Sequence, residues 1–430
     1  MTHRRWGAAL LAFAAMVAVV LVAWRFDSGA PPDPAAAAAP VPADVPTWLS
    51  LPRTSLEVAE GAPAVPATVP PTAPGCESLP DADLPAALPA RGAQLIDRSA
   101  VARGDLLLRL AAQPEERVRA AGLVLQARFA VMEQQNEPVA ACASPPCWLP
   151  EPAAQRTARE ALARLASGSH DPVVHALAVE TCREAANWPA ARGGPRRDET
   201  CGLVSAEQWA RLDADNAYPW LFVAEAARQR RDTAAHGEAM HRIANARASD
   251  AGYGRVHAIV APYLPDDLPP LAQMGLDGSV LGVTASQPLA PYQAALGDCK
   301  DDGLRDVNRR QTCEGIARLL TERAGSLLEL GLGLGLARRL EWPPDRIDAL
   351  TRERDAYQQA AAEAMKSTAG SSLCGMTRRL ASQVEGIGRE GELAWMRRWV
   401  AQSGLTVDEL AARRRADNEP ADPAASAASK

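Results

Sequence analysis

The side chains in this sequence that could carry chemistry are few, and their spacing excludes most of what they could do. His236 and His241 enclose Glu238, a set that suggests a zinc helix. Two ligands on one helical face need i, i+4 spacing, as in H-E-x-x-H, whereas five residues turn the side chains ~140° apart. His170 and His175 share that spacing, so both pairs read as surface or loop histidines. Cys142 and Cys147 in "CASPPC" are not C-x-x-C and have no second Cys/His pair at ligand spacing, which argues against structural zinc. Gly331, Gly333 and Gly335 in "LLELGLGLGLARRL" suggest a phosphate loop, but neither G-x-x-x-x-G-K-[ST] nor a preceding strand is present. On a helix, Gly331 and Gly335 instead share one face and allow a close neighbour. There is no G-x-S-x-G, and no Ser-x-x-Lys stands among its usual partner motifs. The paired carboxylates Asp266-Asp267 and Asp301-Asp302 are loop charges unless burial raises a pKa. The sequence therefore names no catalytic residue, no cofactor and no metal.

What remains for the eight cysteines is covalent cross-linking. Three local pairs stand out among the many pairings that eight cysteines allow. Cys142 with Cys147 would close a Pro-rich turn, Cys182 with Cys201 would staple the loop "NWPAARGGPRRDET", and Cys299 with Cys313 would close "CKDDGLRDVNRRQTC". Cys76 with Cys374 is left by elimination. Loops of these lengths are expected to contribute about 2 to 3 kcal/mol each by loop-closure entropy. Buried free thiols are the other reading.

Disulfides need an oxidising compartment, and the start of the chain supplies the argument for one. Arg4 and Arg5 precede an apolar run from Ala8 to Trp24, closed by Arg25. As a helix this run is roughly 25 Å long against a hydrocarbon core of ~30 Å, with Trp6 and Trp24 at the two interfaces. The best small-residue cleavage candidate, Ser28-Gly29-Ala30, is followed by Pro31, so an uncleaved anchor is expected rather than a cleaved signal. The positive-inside rule puts the amino terminus in the cytoplasm and the rest in the periplasm, held to the inner membrane through residues 8–24. With residues 1–28 as stub and anchor, residues 29–90 are a Pro/Ala-rich linker, a semi-rigid tether, and residues 416–430 a polar tail. The net charge of −6 argues against a nucleic-acid partner.

Between tether and tail the patterning is helical: 117–134, 155–166, 172–185, 313–330 and 347–365 repeat apolar residues at i, i+3, i+4 and i+7, and period-2 alternation is nearly absent. The fold class is all-α, read as stacked helical hairpins. Pro and Gly crowd residues 263–292, which divides the folded part into lobes at 91–262 and 293–415.

One hairpin is specific enough to compare. In "DADNAYPWLFVAEAARQRRD" (213–232), Asn216 is a good N-cap, Pro219 falls in the first turn, and Trp220, Val223, Ala224 and Ala227 form one stripe. This stretch resembles the first helix of a tetratricopeptide repeat, with Asp213, Asn216, Ala217, Trp220 and Asp232 where that family places the same residue types. The second helix, 233–246, departs from it at His236 and Ile243, and Arg231 replaces the turn Gly. As a whole the chain looks like a membrane-anchored envelope protein of GC-rich bacteria. The expected role is a periplasmic interaction or scaffolding module with a protein or peptide partner. An envelope enzyme acting on cell-wall material, or a small-molecule binder or sensor, are the alternatives.

Overall fold

The computed structural model describes residues 99–136, 151–187, 199–287, 289–300, 302–366 and 373–418. The apolar run 8–24, the tether, residues 419–430 of the tail, Cys76, Cys142 and Cys147 lie outside them, while residues 416–418, expected in the tail, continue the last helix. The described residues form sixteen α-helices and no strand, and none of these helices is long and apolar enough to cross a membrane.

Helix α1 (99–111) buries Ala102, Leu106 and Leu110, one turn apart, against α2 (Glu116–Asn136). Helices α3 (Ala153–Ser167) and α4 (Pro172–Asn187) complete the first layer on α2. Next come α5 (Ala206–Leu212) and the hairpin of α6 (Ala217–Arg230) and α7 (Thr233–Asn245). Asn216 caps α6 by accepting from the Tyr218 amide, and Asp232 caps α7 by accepting from the Ala235 amide. Between them Arg231 adopts φ +58°, the left-handed turn where a glycine would be unstrained.

The chain continues through α8 (Arg255–Val260), α9 (Pro270–Ala285), α10 (Tyr292–Leu296) and α11 (Val307–Glu322). It ends with α12 (Leu327–Arg339), α13 (Pro344–Lys366), α14 (Leu373–Glu390), α15 (Glu392–Ser403) and α16 (Val407–Asn418).

Three sequence expectations change. The periodic stretch 313–330 is two helices, because Ser326 caps α12 by accepting from the Glu329 amide and ends the run of α11. The expected connection at 263–292 contains α9, whose Leu276 and Val280 are fully buried. Its prolines stand at the N-cap and first helical position, where a missing N–H leaves no gap. One hydrophobic core accordingly runs from Ala102 to Leu340, and a smaller one from Ala324 to Ala411. Helix α14 also returns to cross α8: a Cβ on Gly388 would fall 2.2 Å from the Gly254 carbonyl oxygen, so the two backbones touch. The glycine face of α12 is Gly333 rather than Gly331 and Gly335. A Cβ on Gly333 would lie 2.7 Å from the Leu320 backbone, whereas those on Gly331 and Gly335 would meet nothing within 4 Å.

Two of the local cysteine pairs are at disulfide geometry. Cys182 and Cys201 have Cα atoms 5.7 Å apart and join α4 to a short 3-10 turn (Thr200–Leu203). Cys299 and Cys313 have Cα atoms 5.6 Å apart and join the exit of α10 to α11, both fully buried. Cys374 lies in the first turn of α14.

Two outcomes are expected. Gly333→Ala should lower stability by about 1 to 3 kcal/mol through the backbone clash, while Gly331→Ala should raise it by up to ~1 kcal/mol through helix propensity, both read from urea midpoints. Replacing both cysteines of either bridge by serine should cost ~3 kcal/mol, and non-reducing peptide mapping should recover Cys182–Cys201 and Cys299–Cys313 as pairs.

Candidate functional site

Helix α4 carries a carboxyl in its buried middle. Residues 173–181 are all buried, and Glu180 stands among them, i+7 from Val173 on one apolar stripe with Ala176 and Leu177. The Glu180 carboxyl is 7% exposed and borders a cavity of about 10 Å³ whose other walls include Val124 and Arg128 of α2, Val256 of α8, Val283 of α9 and Gln287. Burial pushes its pKa from the ordinary 4.5 up to about 7, against the opposing pull of Arg255. The Tyr218 hydroxyl faces the same carboxyl without a well-formed hydrogen bond, and burial raises its pKa well above the phenol range. Glu184, one turn on, pairs with Arg128, and burial raises its carboxyl too. Arg183 pairs with Glu225 at 3.4 Å, donates to the Leu289 carbonyl and lies 4.9 Å above the Phe222 ring. Phe222, Tyr218 and Trp209 form a mutual aromatic cluster with ring centres 5.3 to 5.6 Å apart.

A second polar centre holds the loop after α7. The Asn216 amide is fully used: it donates to Asp213 and to the Asp250 carbonyl at 2.6 Å, and accepts from the Tyr218 and Asp250 amides. The Arg247 and Ala248 amides both donate to the Asp215 carbonyl, and the Ala217 amide to Ala248. Beside it, the buried Glu329 carboxylate accepts from the Ser249 hydroxyl at 2.5 Å, the Tyr292 hydroxyl at 2.8 Å and the Gly325 amide at 2.6 Å. Four segments distant in sequence meet at these two side chains.

Among the described residues a polar cleft of about 240 Å³ lies between the end of α7 and α11. The helices touch where a Cβ on Gly315 would stand 2.8 Å from the Ala244 carbonyl, and Arg323 donates to the Ala246 carbonyl across the floor. Asn245, Arg318 and Glu322 line its mouth.

The residues singled out from sequence fare unevenly. Val223, Ala224 and Ala227 are buried, but Trp220 is the half-exposed member of the stripe. Its indole N–H donates to the Ala214 carbonyl, and the large buried side chains on that helix are Tyr218, Leu221 and Phe222. Helix α6 is enclosed by α5, α7 and α10, so it has no single apolar stripe. His236 and His241 diverge as their spacing implies: His236 bridges the Ala224 carbonyl and Asp298, while His241 is exposed beside Asn245. His175 contacts the Ser169 carbonyl and His170 is exposed. Asp266 and Asp267 are exposed. Glu180, Glu329 and Asn216 as a clamp were not singled out. The position of Glu180 on an apolar stripe was the available signal.

In comparisons with known proteins, no family model, no curated protein and no solved structure matches the chain. The chemistry is therefore read from the geometry alone. An acid whose pKa is about 7 when folded and 4.5 when unfolded binds more protons in the folded state between those values, so its contribution to stability is lost as pH rises through that window. His257, whose pKa burial lowers from 6.5 to about 4, acts with opposite sign: its contribution is lost as pH falls through 6.5 towards 4. The two oppose each other in the wild type, and the difference from a variant isolates one of them. Glu180→Gln should gain stability relative to wild type by about 3 kcal/mol as pH rises from 4.5 to above 7, and then level off, as read by denaturant titration at each pH.

Proposed function

We propose that the chain is a helical-repeat interaction module of the bacterial cell envelope, tethered to the inner membrane by residues 8–24 and presenting its helical body in the periplasm. The observation that carries this reading is the clamp between Asn216 and Asp250. It joins the start of one helical hairpin to the start of the next segment at a separation of 34 residues, the period of tetratricopeptide repeats. Hairpins joined in this way build a surface by stacking, and such surfaces hold peptides. The cleft between α7 and α11 is the place for a partner. Its guanidinium, carboxylate and amide side chains suit a polar peptide segment rather than an apolar helix. The two cysteine pairs at disulfide geometry agree with an oxidising compartment. The perturbed carboxyl Glu180 does not favour an enzyme, because a cavity of about 10 Å³ admits no substrate.

The test is made on the full-length protein in its membrane. Fractionation and amino-terminal sequencing should find the intact terminus in the inner-membrane fraction, and cross-linking there should recover a defined envelope protein. Arg318→Gln at the cleft mouth should lower that yield at least about tenfold while moving the thermal midpoint by only a few degrees, the loss expected for one exposed pair with Glu314. A mature terminus within residues 28–45 would remove the tether, and cross-linked partners indifferent to Arg318 would remove the cleft from the reading.

A further inference from the structure

The cavity beside Glu180 has one weak wall. Val124 and Arg128 belong to α2, Leu177, Glu180 and Thr181 to α4, Val256 to α8 and Val283 to α9, all inside helices. Gln287 alone lies past a helix end, two residues beyond Ala285, its amide held by a 3.3 Å hydrogen bond to the Thr284 carbonyl. Its side-chain oxygen is buried and meets no donor. The Thr181 hydroxyl is spent on the Leu177 carbonyl and cannot supply one.

A cavity of this size holds at most about one water. A neutral carboxyl fits it, donating its proton toward Gln287 directly or through that water. An ionised carboxylate there has too little hydration and shares the cavity with a second unpartnered acceptor, the Gln287 oxygen, so the two are destabilised in this arrangement.

The charged groups around Glu180 do not remove this conflict. On α2, Arg128 is committed to Glu184. On α4 itself, Arg183 is committed to Glu225 and the Leu289 carbonyl. On α6, Tyr218 offers a hydroxyl with no good geometry, and on α8, Arg255 stands 3.6 Å from Asp250. Glu184, on the next turn, adds repulsion when charged.

We infer that Glu180 and Gln287 form a proton-operated latch between α4 and the C-terminal turn of α9, closed when the carboxyl is protonated and opened to water when it ionises. The opening is local, because Gln287 and the last turn of α9, which carries Val283, can move outward while the walls from α2, α4 and α8 stay in place. The titration of Glu180 near neutrality places the change within the range a cell envelope experiences.

Hydrogen exchange on the full-length protein, corrected for the intrinsic pH dependence of exchange, reads this directly. Between about pH 5.5 and about pH 8.5 the amides of residues 283–287 should lose protection at least about tenfold, while those of the middle of α4 keep theirs. Glu180→Gln, a neutral isostere, should hold 283–287 protected at both values. Unchanged protection in the wild type would overturn the latch, as would an equal loss in Glu180→Gln. If that variant does not fold, the wild type still decides: a protonated-carboxyl infrared band that disappears over the same pH interval as the loss of protection supports the latch, and one that disappears over a different interval overturns it.

Discussion

A chain that leaves helical hydrogen bonding inside a core must find a partner for every backbone group it exposes there, and residues 246–252 are such a segment. Ala246, Ser249, Asp250 and Ala251 are all buried. The solution is one asparagine and one glutamate. Asn216 takes both the N–H and the C=O of Asp250, the turn before α6 takes the amides of Arg247 and Ala248, and Glu329 takes the Ser249 hydroxyl. Because Glu329 belongs to α12 and also holds Tyr292 of α10, the loop fixes the early hairpin against the later helices. The orientation of α7, and with it the cleft on its far end, follows from this joint.

The remaining buried charges lie around it. Asp250 is reached by Arg255, which also draws on Glu180, and Tyr218 stands between the aromatic cluster and that carboxyl. Isolated ions in such a place would each cost several kcal/mol, and pairing recovers only part of that. At Glu180 burial outweighs the pull of Arg255 and Tyr218, so it responds by holding its proton. His257 responds in the opposite way by giving its proton up. Both are neutral through the middle of the pH range because burial penalises charge of either sign.

The helical class, several helix positions and two cysteine pairs were legible from sequence because they rest on local rules. Periodicity placed α2, α3, α4 and α13 to within a few residues, and the loop lengths of Cys182–Cys201 and Cys299–Cys313 singled those pairs out. What failed was whatever depended on neighbours. The glycines of α12 could be placed on a helix, but which one faces Leu320 is set by where α11 lies. Pro and Gly between 263 and 292 suggested a linker, yet two of the prolines start a buried helix. Helical periodicity puts Trp220 on one stripe with Val223, Ala224 and Ala227, whereas it is Tyr218 and Phe222 that the aromatic core encloses, because α6 is surrounded on several sides. A carboxylate such as Glu180 inside an apolar run reads from sequence as an exception to the run, and only the packing of α2, α6 and α8 shows it buried.

The crossing of α8 and α14 sets the order in which the molecule can be built. Gly254 and Gly388 bring their backbones into contact across more than a hundred residues of sequence, and the neighbouring Val384 carbonyl would lie 2.5 Å from a Cβ on Gly254. No side chain on either glycine can hold the helices in place before they meet, and the chain between them must already have folded back for the contact to form. Such a long-range closure is slow to find and forms late. A body emerging amino terminus first would therefore leave the surface of α8 uncovered until α14 arrives, the interval in which exposed apolar surface favours aggregation.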